Sequence, residues 1–338
     1  MEKKVSMQDI ADRLKISKNS VSQALSGKAG VSEETRRLVQ DAADELGYQY
    51  ASSRKQKQAE KTAPKNIALI ASEFAFSLKS FFGAIYLSIE KELRERGMNL
   101  FIEPISSDSK EKLILPALLT NHDIDGILIL SHISTDYSSK IINTGIPTVL
   151  IDHHSPFLQA DSILTNNRYG AYTAVDHLIQ LGHRDIAFVG DVNYSPSYQE
   201  RFEGYHLALK KHGIKPNPAF MFTNAQESQD EMHRNFENLQ TQPSAWFCVN
   251  DGHGFIVTSV LQQKGFKVPV DASVCSFDNG QLSQIATPKI TTMDIDLTYF
   301  GKKAVEQLCW RIENKHEPIH EILLPTKLIV RESTAERK

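Results

Sequence analysis

The most informative residues near the N-terminus form a polar set on one side of a predicted short helix, about residues 18–25. The set comprises Lys18, Asn19, Ser22 and Gln23, and the residues on the opposite side are Val21, Ala24 and Leu25. Asn and Gln amides can pair with adenine in the major groove of DNA, and a Lys ammonium can reach guanine acceptors or phosphate. The spacing therefore suits base recognition, although a small helical bundle with a polar face would show the same pattern.

Three short helices are predicted around this set. Ser6 and Asp9 form a capping box at the start of a helix over about 7–14, and Ser17 can cap the helix that carries the polar set. Ser32 caps a third helix over about 33–46, whose first turn contains Glu33 and Glu34. Two short helices on a tight turn, closed by a third, are typical of a helix-turn-helix, whose second helix enters the major groove.

The charge of the chain is distributed unevenly. Residues 1–65 contain 13 Lys or Arg against 9 Asp or Glu, whereas the remainder contains 25 against 32. A basic N-terminal segment on an acidic remainder indicates that only the first segment meets nucleic acid, although charge alone fits a solvated surface equally well. Residues 49–65 are polar and basic with no large aliphatic residue, which predicts a flexible linker.

From residue 66 onward, short apolar runs such as NIALIA, DGILIL and AWFCV alternate with amphipathic segments, and LILPALLTN (113–121) is predicted to be a helix. Apolar strands separated by helices favour an α/β fold with parallel, doubly wound sheets. In such sheets ligands bind beyond the carboxyl ends of the strands. Asp152, Asn250 and Asp278 each follow an apolar run, so we expect them at these ends.

Several classes of function are excluded by what the sequence lacks. It has no run of about 18 apolar residues, and its first residues lack the pattern of a signal peptide, so we expect a cytoplasmic protein without a membrane partner. It has no phosphate-binding or dinucleotide-binding glycine motif and no nucleophile elbow, so we expect neither an enzyme nor a cofactor.

Histidine and cysteine usage predicts no metal site. The histidines His132, His153, His154 and His253 come from different loops without ligand spacing. The three cysteines, Cys248, Cys275 and Cys309, lie far apart in apolar or amphipathic segments. We therefore expect buried, inert thiols.

The stretch from VSMQDIADRL to AADELGY resembles the headpiece of the lactose-repressor (LacI) family of bacterial transcriptional regulators almost position by position. Downstream, HLIQLGHRDIAFVG, RFEGYHLAL, FCVNDG, SFDN, PKITTMDID and LPTKLIVRES resemble the body of that family, in the family's order. The resemblance covers about residues 5–333.

This resemblance implies an α/β fold with an N-terminal helix-turn-helix headpiece and two doubly wound parallel-sheet lobes of the periplasmic-binding-protein-like type I. The expected parts are the headpiece over 1–48, a hinge over 49–65 and a two-lobed body over 66–338. The N-lobe is expected over about 66–162 and 292–323 and the C-lobe over about 164–290, with crossovers near 162–165, 289–293 and 323–325.

The resemblance also implies a regulator, expected to be a repressor, that binds an inverted-repeat operator in double-stranded DNA as a homodimer. A small molecule would control operator affinity allosterically. A sugar or sugar derivative is the expected effector, and a nucleobase or a protein co-regulator is the alternative. A secreted sugar carrier of the same lobe fold would need a signal peptide and no headpiece. We expect the helix after Phe82 and a helix over about 254–264 to help form the dimer interface.

Individual residues receive roles from the matching positions. Base contacts are predicted for Lys18, Asn19 and Gln23, phosphate contacts for Ser17, Ser20 and Ser22, and hinge contacts for Arg54, Lys55 and Lys57. Effector contacts are predicted for Arg201 on the opening turn of a helix, for Asp278, Asn250 and Asp152, and for Phe81 and Phe82 on the N-lobe side. A surface ion pair, strand-end caps and core phenylalanines are the alternative interpretations of these effector-site residues.

Three positions depart from the family pattern. Ser276 stands where the family usually has Gly, and Gln226 lies where several relatives stack an aromatic ring on the effector. The hinge has no leucine to wedge into the minor groove, and the nearest matching place holds Lys57. We expect such a hinge to hold DNA electrostatically and bend it less, unless Tyr50 or an alanine acts as the wedge.

Overall fold

The computed structural model of the chain describes residues 5–26, 30–46, 48, 65–73, 75, 81–131 and 133–337. The backbone divides into two compact units, Met1–Pro64 and Lys65–Lys338. Five residues singled out from the sequence lie outside the described residues: Tyr50, Arg54, Lys55, Lys57 and His132. The expectation for the hinge therefore stays a prediction.

The first unit contains the three predicted helices, α1 (Met7–Leu14), α2 (Lys18–Ser26) and α3 (Glu33–Glu45). Each begins at a serine. The Ser6 amide donates to Asp9 Oδ2 at 2.7 Å, Ser17 Oγ accepts from the Ser20 amide at 3.0 Å, and Ser32 caps α3. These contacts satisfy amides that have no partner inside the helix, which confirms the predicted helix starts.

The small core of this unit comes from one face of each helix. Ile10 on α1, Val21 on α2 and Val39 on α3 are completely buried against one another. This packing turns the polar face of α2 outward, where Lys18 and Asn19 are exposed. Tertiary packing, rather than the isolated helix, thus orients the polar residues of α2.

The described residues of the second unit form twelve strands. They are β1 (Asn66–Ser72), β2 (Asn99–Ile105), β3 (Gly126–Leu130), β4 (Thr148–Ile151), β5 (Asp161–Thr165), β6 (Ile186–Val189), β7 (Met221–Phe222), β8 (Ala245–Cys248), β9 (Ser273–Asp278), β10 (Thr291–Asp294), β11 (Glu321–Leu324) and β12 (Lys327–Ile329). They form two six-stranded sheets, in the orders β11-β5-β4-β3-β1-β2 and β12-β10-β9-β8-β6-β7. Every pairing is parallel except that of β12 with β10, which confirms the predicted fold class.

The helices of this unit lie between the strands along the chain. They are α4 (Phe82–Glu95), α5 (Ser107–Glu111), α6 (Leu118–Asn121), α7 (Thr135–Ile142), α8 (Asn167–Gln180), α9 (Pro196–Lys211), α10 (Gln229–Glu237), α11 (Asp251–Gln263), α12 (Gln281–Ile285) and α13 (Leu297–Glu313), with a 3₁₀ turn at Pro218–Phe220. Because they cover both faces of the sheets, strand residues such as Ile67 and Leu69 are completely buried.

One predicted helix is shorter in the structure than the sequence suggested. Residues 113–121 were expected to be helical, yet α6 begins only at Leu118. Leu113 has a left-handed φ of 51°, and Pro116 lacks the amide hydrogen that a continuing helix needs. The apolar residues of this segment still pack on the N-lobe core.

The chain passes between the two sheets three times, at residues 165–167, 294–297 and 324–327. These crossings lie a few residues beyond the expected ones. Residues 164 and 165 belong to the N-lobe sheet, because β5 pairs with β4 and, through Thr165, with β11. Residues 292–294 belong to the C-lobe sheet, because β10 pairs with β9.

Among the described residues, no helix is long and apolar enough to cross a membrane. Cys248 and Cys275 are buried free thiols as expected, whereas Cys309 on α13 is only half-buried. Burial raises the pKa of both buried thiols above the ordinary value, so they stay protonated and unreactive at neutral pH.

Candidate functional site

A cavity of about 1090 Å³ lies between the two lobes of the second unit. Its N-lobe side includes Ser131 and Asp152, which directly follow β3 and β4. Its C-lobe side includes Asn250 beyond β8 and Asp278 at the end of β9. The carboxyl ends of the strands of both sheets therefore point their polar side chains into one shared cleft.

The backbone is strained where it borders this cavity. Ser131, Asp152, Asp278 and Asn279 have φ values of 73°, 56°, 103° and 52°, in the left-handed region that favours glycine. All four line the cavity. Backbone strain of this kind concentrates at functional sites, because the surrounding structure must hold side chains in a fixed direction there.

Arg201 forms the floor of the cleft. It lies in the second turn of α9, which Ser195 caps, and not on the opening turn as expected, because the helix begins earlier, at Pro196. Its Nε donates to Asn167 Oδ1 at 2.9 Å and its Nη1 to the carbonyl of Val249 at 2.5 Å. Only 2% of the residue is exposed, so it is not a surface ion-pair former.

Asp278 pairs with this arginine. Nη1 of Arg201 lies 3.1 Å from Asp278 Oδ1, and the guanidinium carbon lies 3.8 Å from the centroid of the Phe277 ring. Burial raises the pKa of Asp278, and the nearby Arg201 charge opposes that rise. Oδ1 of Asp278 is buried, and its 3.1 Å contact with Arg201 does not have the direction of a full hydrogen bond. A ligand hydroxyl or amine could therefore donate to the same oxygen.

Asp152 faces this pair from the N-lobe. Burial raises its pKa to about 7, with Arg201 lowering and Asp278 raising it. The carboxyl therefore stands near the balance between its neutral and ionised forms at neutral pH. Two acids and one arginine at the floor of a cleft suit hydroxyl groups, since each carboxylate accepts two hydrogen bonds and the guanidinium donates a planar pair.

Asn250 caps α11 and organises the C-lobe wall. Its side-chain oxygen accepts from the amide of His253 at 2.9 Å, and its Nδ2 donates to the Tyr198 hydroxyl at 2.7 Å and to Glu227 Oε1 at 2.6 Å. Glu227 also packs against the backbone of Gly252, where a side chain would collide with Oε2. The cap expected as the alternative interpretation of a strand-end polar residue thus applies to Asn250, although the residue lines the cavity as well.

Aromatic side chains stand on both sides of the cleft. Phe81 and Phe82 line the N-lobe side with ring centroids 5.0 Å apart in an edge-to-face arrangement. Tyr194 and Tyr198 line the C-lobe side with centroids 5.4 Å apart. The sequence reasoning missed these tyrosines. Their signal was an aromatic residue in the loop after the apolar strand β6, Tyr194, followed by a second, Tyr198, in the first turn of the helix that carries Arg201.

Contacts between the lobes also involve residues beside the cavity. Nε2 of His154, from the N-lobe, lies 3.2 Å from Glu200 Oε1 on α9. Although burial opposes the shift, the hydrogen bond with Glu200 raises the pKa of His154. Asn167, which binds Arg201, also donates to Glu200 Oε2 at 3.0 Å. The floor of the cleft is thereby connected to a polar contact that joins the two lobes.

No group of three or more His, Cys, Asp or Glu side chains in the described part of the chain could hold a metal ion. Of the four histidines considered, His153 and His253 are buried and His154 contacts carboxylates.

Comparisons with known proteins agree with this architecture. Residues 6–50 match the lacI family of bacterial regulatory proteins, and residues 175–334 match the periplasmic binding protein-like domain. The NTD biosynthesis operon regulator NtdR of Bacillus subtilis (strain 168) is 30% identical, over 96% of this chain and 98% of that protein. The chain belongs to the LacI family.

Two further relatives of this LacI-family protein have names that mention a sugar. The ribose operon repressor of Haemophilus influenzae is 29% identical, over 97% of this chain and 98% of that protein. The crystal structure of a LacI family transcriptional regulator from Enterococcus faecium with bound ribose aligns with a TM-score of 0.68 and 25% identity, over 81% of this chain and all of that chain. The protein is thus a transcriptional regulator with a DNA-binding helix-turn-helix, and not an enzyme.

The headpiece of this LacI-family protein presents part of the predicted DNA-contacting set to solvent. Lys18 and Asn19 are exposed at the start of α2, whereas Ser22 and Gln23 are half-buried. The Gln23 side-chain oxygen lies close to the backbone of Gly30, 3.0 Å from where a Cβ would stand. Ser17 Oγ and Ser20 Oγ are 2.8 Å apart. Gln23, for which a base contact is predicted, therefore lies against another part of the headpiece.

The departures from the family pattern have structural consequences in the LacI-family body. Ser276 is completely buried, and its Oγ donates to Asp251 Oδ1 at 2.5 Å. Thr292 Oγ1 donates to the same oxygen at 2.8 Å. Ser276 therefore anchors the first residue of α11 from below the cavity and does not line it. Gln226 lines the cavity and donates to Asp191 Oδ2 at 2.7 Å.

Proposed function

We propose that this LacI-family regulator is a repressor that binds an inverted-repeat operator as a homodimer and that a sugar or sugar derivative in the interlobe cleft controls its operator affinity. The observation that carries the proposal is the Arg201–Asp278 pair at the floor of the interlobe cavity. A carboxylate held beside a guanidinium suits ligand hydroxyl groups, which can donate to the carboxylate and accept from the cation.

The remaining walls support a polyol. Asp152 and Asn250 add an acceptor and an amide from opposite lobes. Phe82 and Tyr194 offer apolar ring faces on which the C–H groups of a sugar can pack. The volume of about 1090 Å³ is large enough for a disaccharide. One relative is named for the ribose operon and another was solved with ribose bound, which favours a sugar as the effector.

A nucleobase is the second candidate effector. The aromatic pairs Phe81–Phe82 and Tyr194–Tyr198 could stack on a flat ring, and the carboxylates could accept its N–H groups. The sugar is favoured because the polar groups come from both lobes and at least three strand ends, which suits a ligand with donors all around it.

Control of operator affinity follows from the position of the cleft. The lobes are connected by three crossovers, and the effector would contact both. A ligand that bridges the lobes stabilises one lobe arrangement over another by its difference in affinity for the two. In a homodimer, that difference would change the spacing of two headpieces and therefore their fit to two half-sites.

The DNA side of the proposal uses the predicted contacts. Lys18, Asn19 and Gln23 would read base edges, and Ser17, Ser20 and Ser22 would bind phosphates. Ser17 is also the cap of α2, and its hydroxyl contacts Ser20. It would bind phosphate either beside that contact or in place of it. Arg54, Lys55 and Lys57 would add phosphate or minor-groove contacts from the hinge.

The proposal is tested in two steps with the full-length protein. Selection of bound sites from random DNA should yield an inverted repeat whose binding weakens steeply with salt. Sugars, sugar derivatives and nucleobases are then screened for a rise in melting temperature and for release or tightening of the selected DNA. A protein that selects no DNA sequence, or that responds to nucleobases and no sugar, would contradict the proposal.

A further inference from the structure

The cavity between the lobes is strongly acidic. Among the described residues, the carboxylates that line it are Asp152, Asp191, Glu227, Asp251, Asp278, Asp294 and Asp296, and the basic side chains are Lys110 and Arg201. Arg201 is already paired with Asp278, and Lys110 comes from α5 on the N-lobe wall. A cleft lined with one sign of charge concentrates ligands of the opposite sign.

Most of these carboxylates have structural roles. Asp251 accepts hydrogen bonds from Ser276 and Thr292, and Oδ1 of Asp296 accepts from the Tyr299 amide at the start of α13. Asp294 accepts from Asn279 Nδ2. Their oxygens are directed at protein groups. Burial raises the pKa of Asp152 to about 7, so the negative charge that remains for a ligand comes mainly from Asp191 and Glu227.

Asp191 and Glu227 both line the C-lobe side of the cavity and accept hydrogen bonds from neutral groups of the described residues. Asp191 Oδ2 accepts from the Gln226 amide at 2.7 Å, and Glu227 Oε1 accepts from the Asn250 amide at 2.6 Å. No Lys or Arg of the described residues forms an ion pair with either carboxylate. Half of the Glu227 side chain is exposed, toward the cavity that it lines.

The groups that surround these two carboxylates do not neutralise them. The nearest titratable side chain is His253, whose Nδ1 lies 3.9 Å from Glu227 Oε1. Burial lowers the pKa of His253, which keeps its ring neutral at neutral pH. The Tyr194 side chain, 46% exposed, lines the same wall. Two uncompensated carboxylates beside an aromatic ring are the groups that bind an ammonium, by ion pairing and by cation–π attraction.

We propose that the effector carries a protonated amine, bound by Asp191 and Glu227 on the C-lobe wall, in addition to hydroxyl groups held at the Arg201–Asp278 floor. This inference rests on the proposed effector role of the cleft. It narrows the ligand class from sugars in general to amino sugars. At the floor, Asp278 Oδ1 is buried 3.1 Å from Arg201 Nη1 without the direction of a full hydrogen bond, which leaves this oxygen able to accept from a ligand donor as well.

Three disaccharides with one skeleton provide the probes: the β-1,4-linked glucosamine disaccharide with free amines, its diacetylated form, and cellobiose. Their dissociation constants are measured calorimetrically at mildly acidic pH, where the amines are protonated. We expect the diamine to bind about tenfold or more tightly than cellobiose, as befits a half-exposed charge pair. The preference should weaken with added salt.

Substitutions that keep the shape of the side chains locate the amine site. The double variant Asp191→Asn with Glu227→Gln should bind the diamine and cellobiose equally, while the exposed Glu317→Gln control should keep the preference. Circular dichroism melting confirms that each variant is folded.

Equal or tighter binding of cellobiose or the diacetylated sugar would overturn the inference, and so would an unchanged preference in the double variant. Failure of all three disaccharides to bind would count against it as well. Cellobiose binding alone would leave the proposed sugar-controlled function standing. Failure of that function would instead appear as the absence of sequence-selective DNA binding.

Discussion

Asp152 and Ser197 belong to different lobes and meet across the cleft, with Ser197 Oγ 3.4 Å from Asp152 Oδ1. Ser197 lies in the first turn of α9, the helix that carries Arg201 four residues later. A ligand that competes for the Asp152 carboxylate therefore acts directly on a contact between the lobes. The contact also makes the ionisation of Asp152 sensitive to the arrangement of the lobes.

The first prediction concerns pH. Because the pKa of Asp152 is raised from its ordinary 3.8 to about 7, the folded state keeps a proton that the unfolded state releases. Between pH 3.8 and about 7, the raised pKa of Asp152 makes the free energy of unfolding fall as pH rises. Asp152→Asn should remove this contribution. The free energy of unfolding of the variant should therefore rise by about 1–3 kcal/mol relative to that of the wild type between pH 5 and 8. Urea unfolding at several pH values measures it.

The exposed Asp123→Asn variant is the control for this pH series. The free energy of unfolding of this variant should change with pH as that of the wild type does, because the Asp123 carboxyl lies outside the cleft. A constant difference between Asp152→Asn and the wild type at every pH would show that Asp152 ionises normally in the folded protein.

The second prediction concerns the floor of the cleft. Asp278→Asn keeps the shape of the side chain but removes the charge that faces Arg201. We expect effector affinity to fall by about 2–5 kcal/mol, since a charged partner of a desolvated hydrogen bond is lost. DNA binding without effector should be retained, because the residue lies outside the headpiece unit. Effector titrations and gel shifts give the two readouts.

Arg201→Lys is the companion variant at the same site. It keeps the positive charge but loses the planar fork that reaches Asn167, Val249 and Asp278 together. Its effector response should also be lost. A normal response in both variants would remove the pair from the effector site.

The third prediction concerns base recognition. Gln23→Arg should shift the preferred base at one position of each half-site from adenine toward guanine, by about 1–3 kcal/mol. Lys15→Arg serves as the control, because Lys15 ends α1 and lies outside the predicted base-reading set. Sites selected from random DNA by each variant measure the preference. An unchanged consensus with Gln23→Arg would mean that Gln23 keeps its contact near Gly30 and does not read bases.

The fourth prediction concerns stability. Asp161 is completely buried and accepts two hydrogen bonds from Arg311, at 2.8 and 2.6 Å. Arg311→Ala should lower the free energy of unfolding by about 3–5 kcal/mol, because it leaves a buried carboxylate without its cation. Arg168→Ala removes a short but half-exposed pair with Glu203 and should cost at most about 1 kcal/mol. Equal losses in urea unfolding would contradict this ranking.

The fifth prediction concerns the dimer. Leu87 on α4 is 63% exposed and Phe255 on α11 is 38% exposed, and both helices were expected at the interface. Leu87→Arg and Phe255→Arg should shift the protein toward monomer, since a charge in an apolar contact is unfavourable. Val270, 73% exposed in a loop, provides the control Val270→Arg, which should stay dimeric. Light scattering over a concentration series distinguishes the outcomes.

Much of the local structure followed from the sequence alone. Ser6, Ser17 and Ser32 marked helix starts because capping depends on residues only three positions apart. Apolar runs marked the strands because strands covered on both faces have no polar side. The strand-end residues Asp152 and Asp278 were found for the same reason, since parallel strands place their carboxyl ends at one edge.

The tertiary structure decided what those residues contact. The sequence placed Arg201 in the cleft, but only packing showed that it is buried against Asn167 and Val249. Tyr194 and Glu227 were missed because no local pattern separates a loop residue that lines a cavity from one that faces solvent. Contacts between residues distant in the chain depend on how the sheets twist and how the lobes meet. The sequence determined the family, the elements and the strand-end acids, and the fold decided the charge and the walls of the cleft.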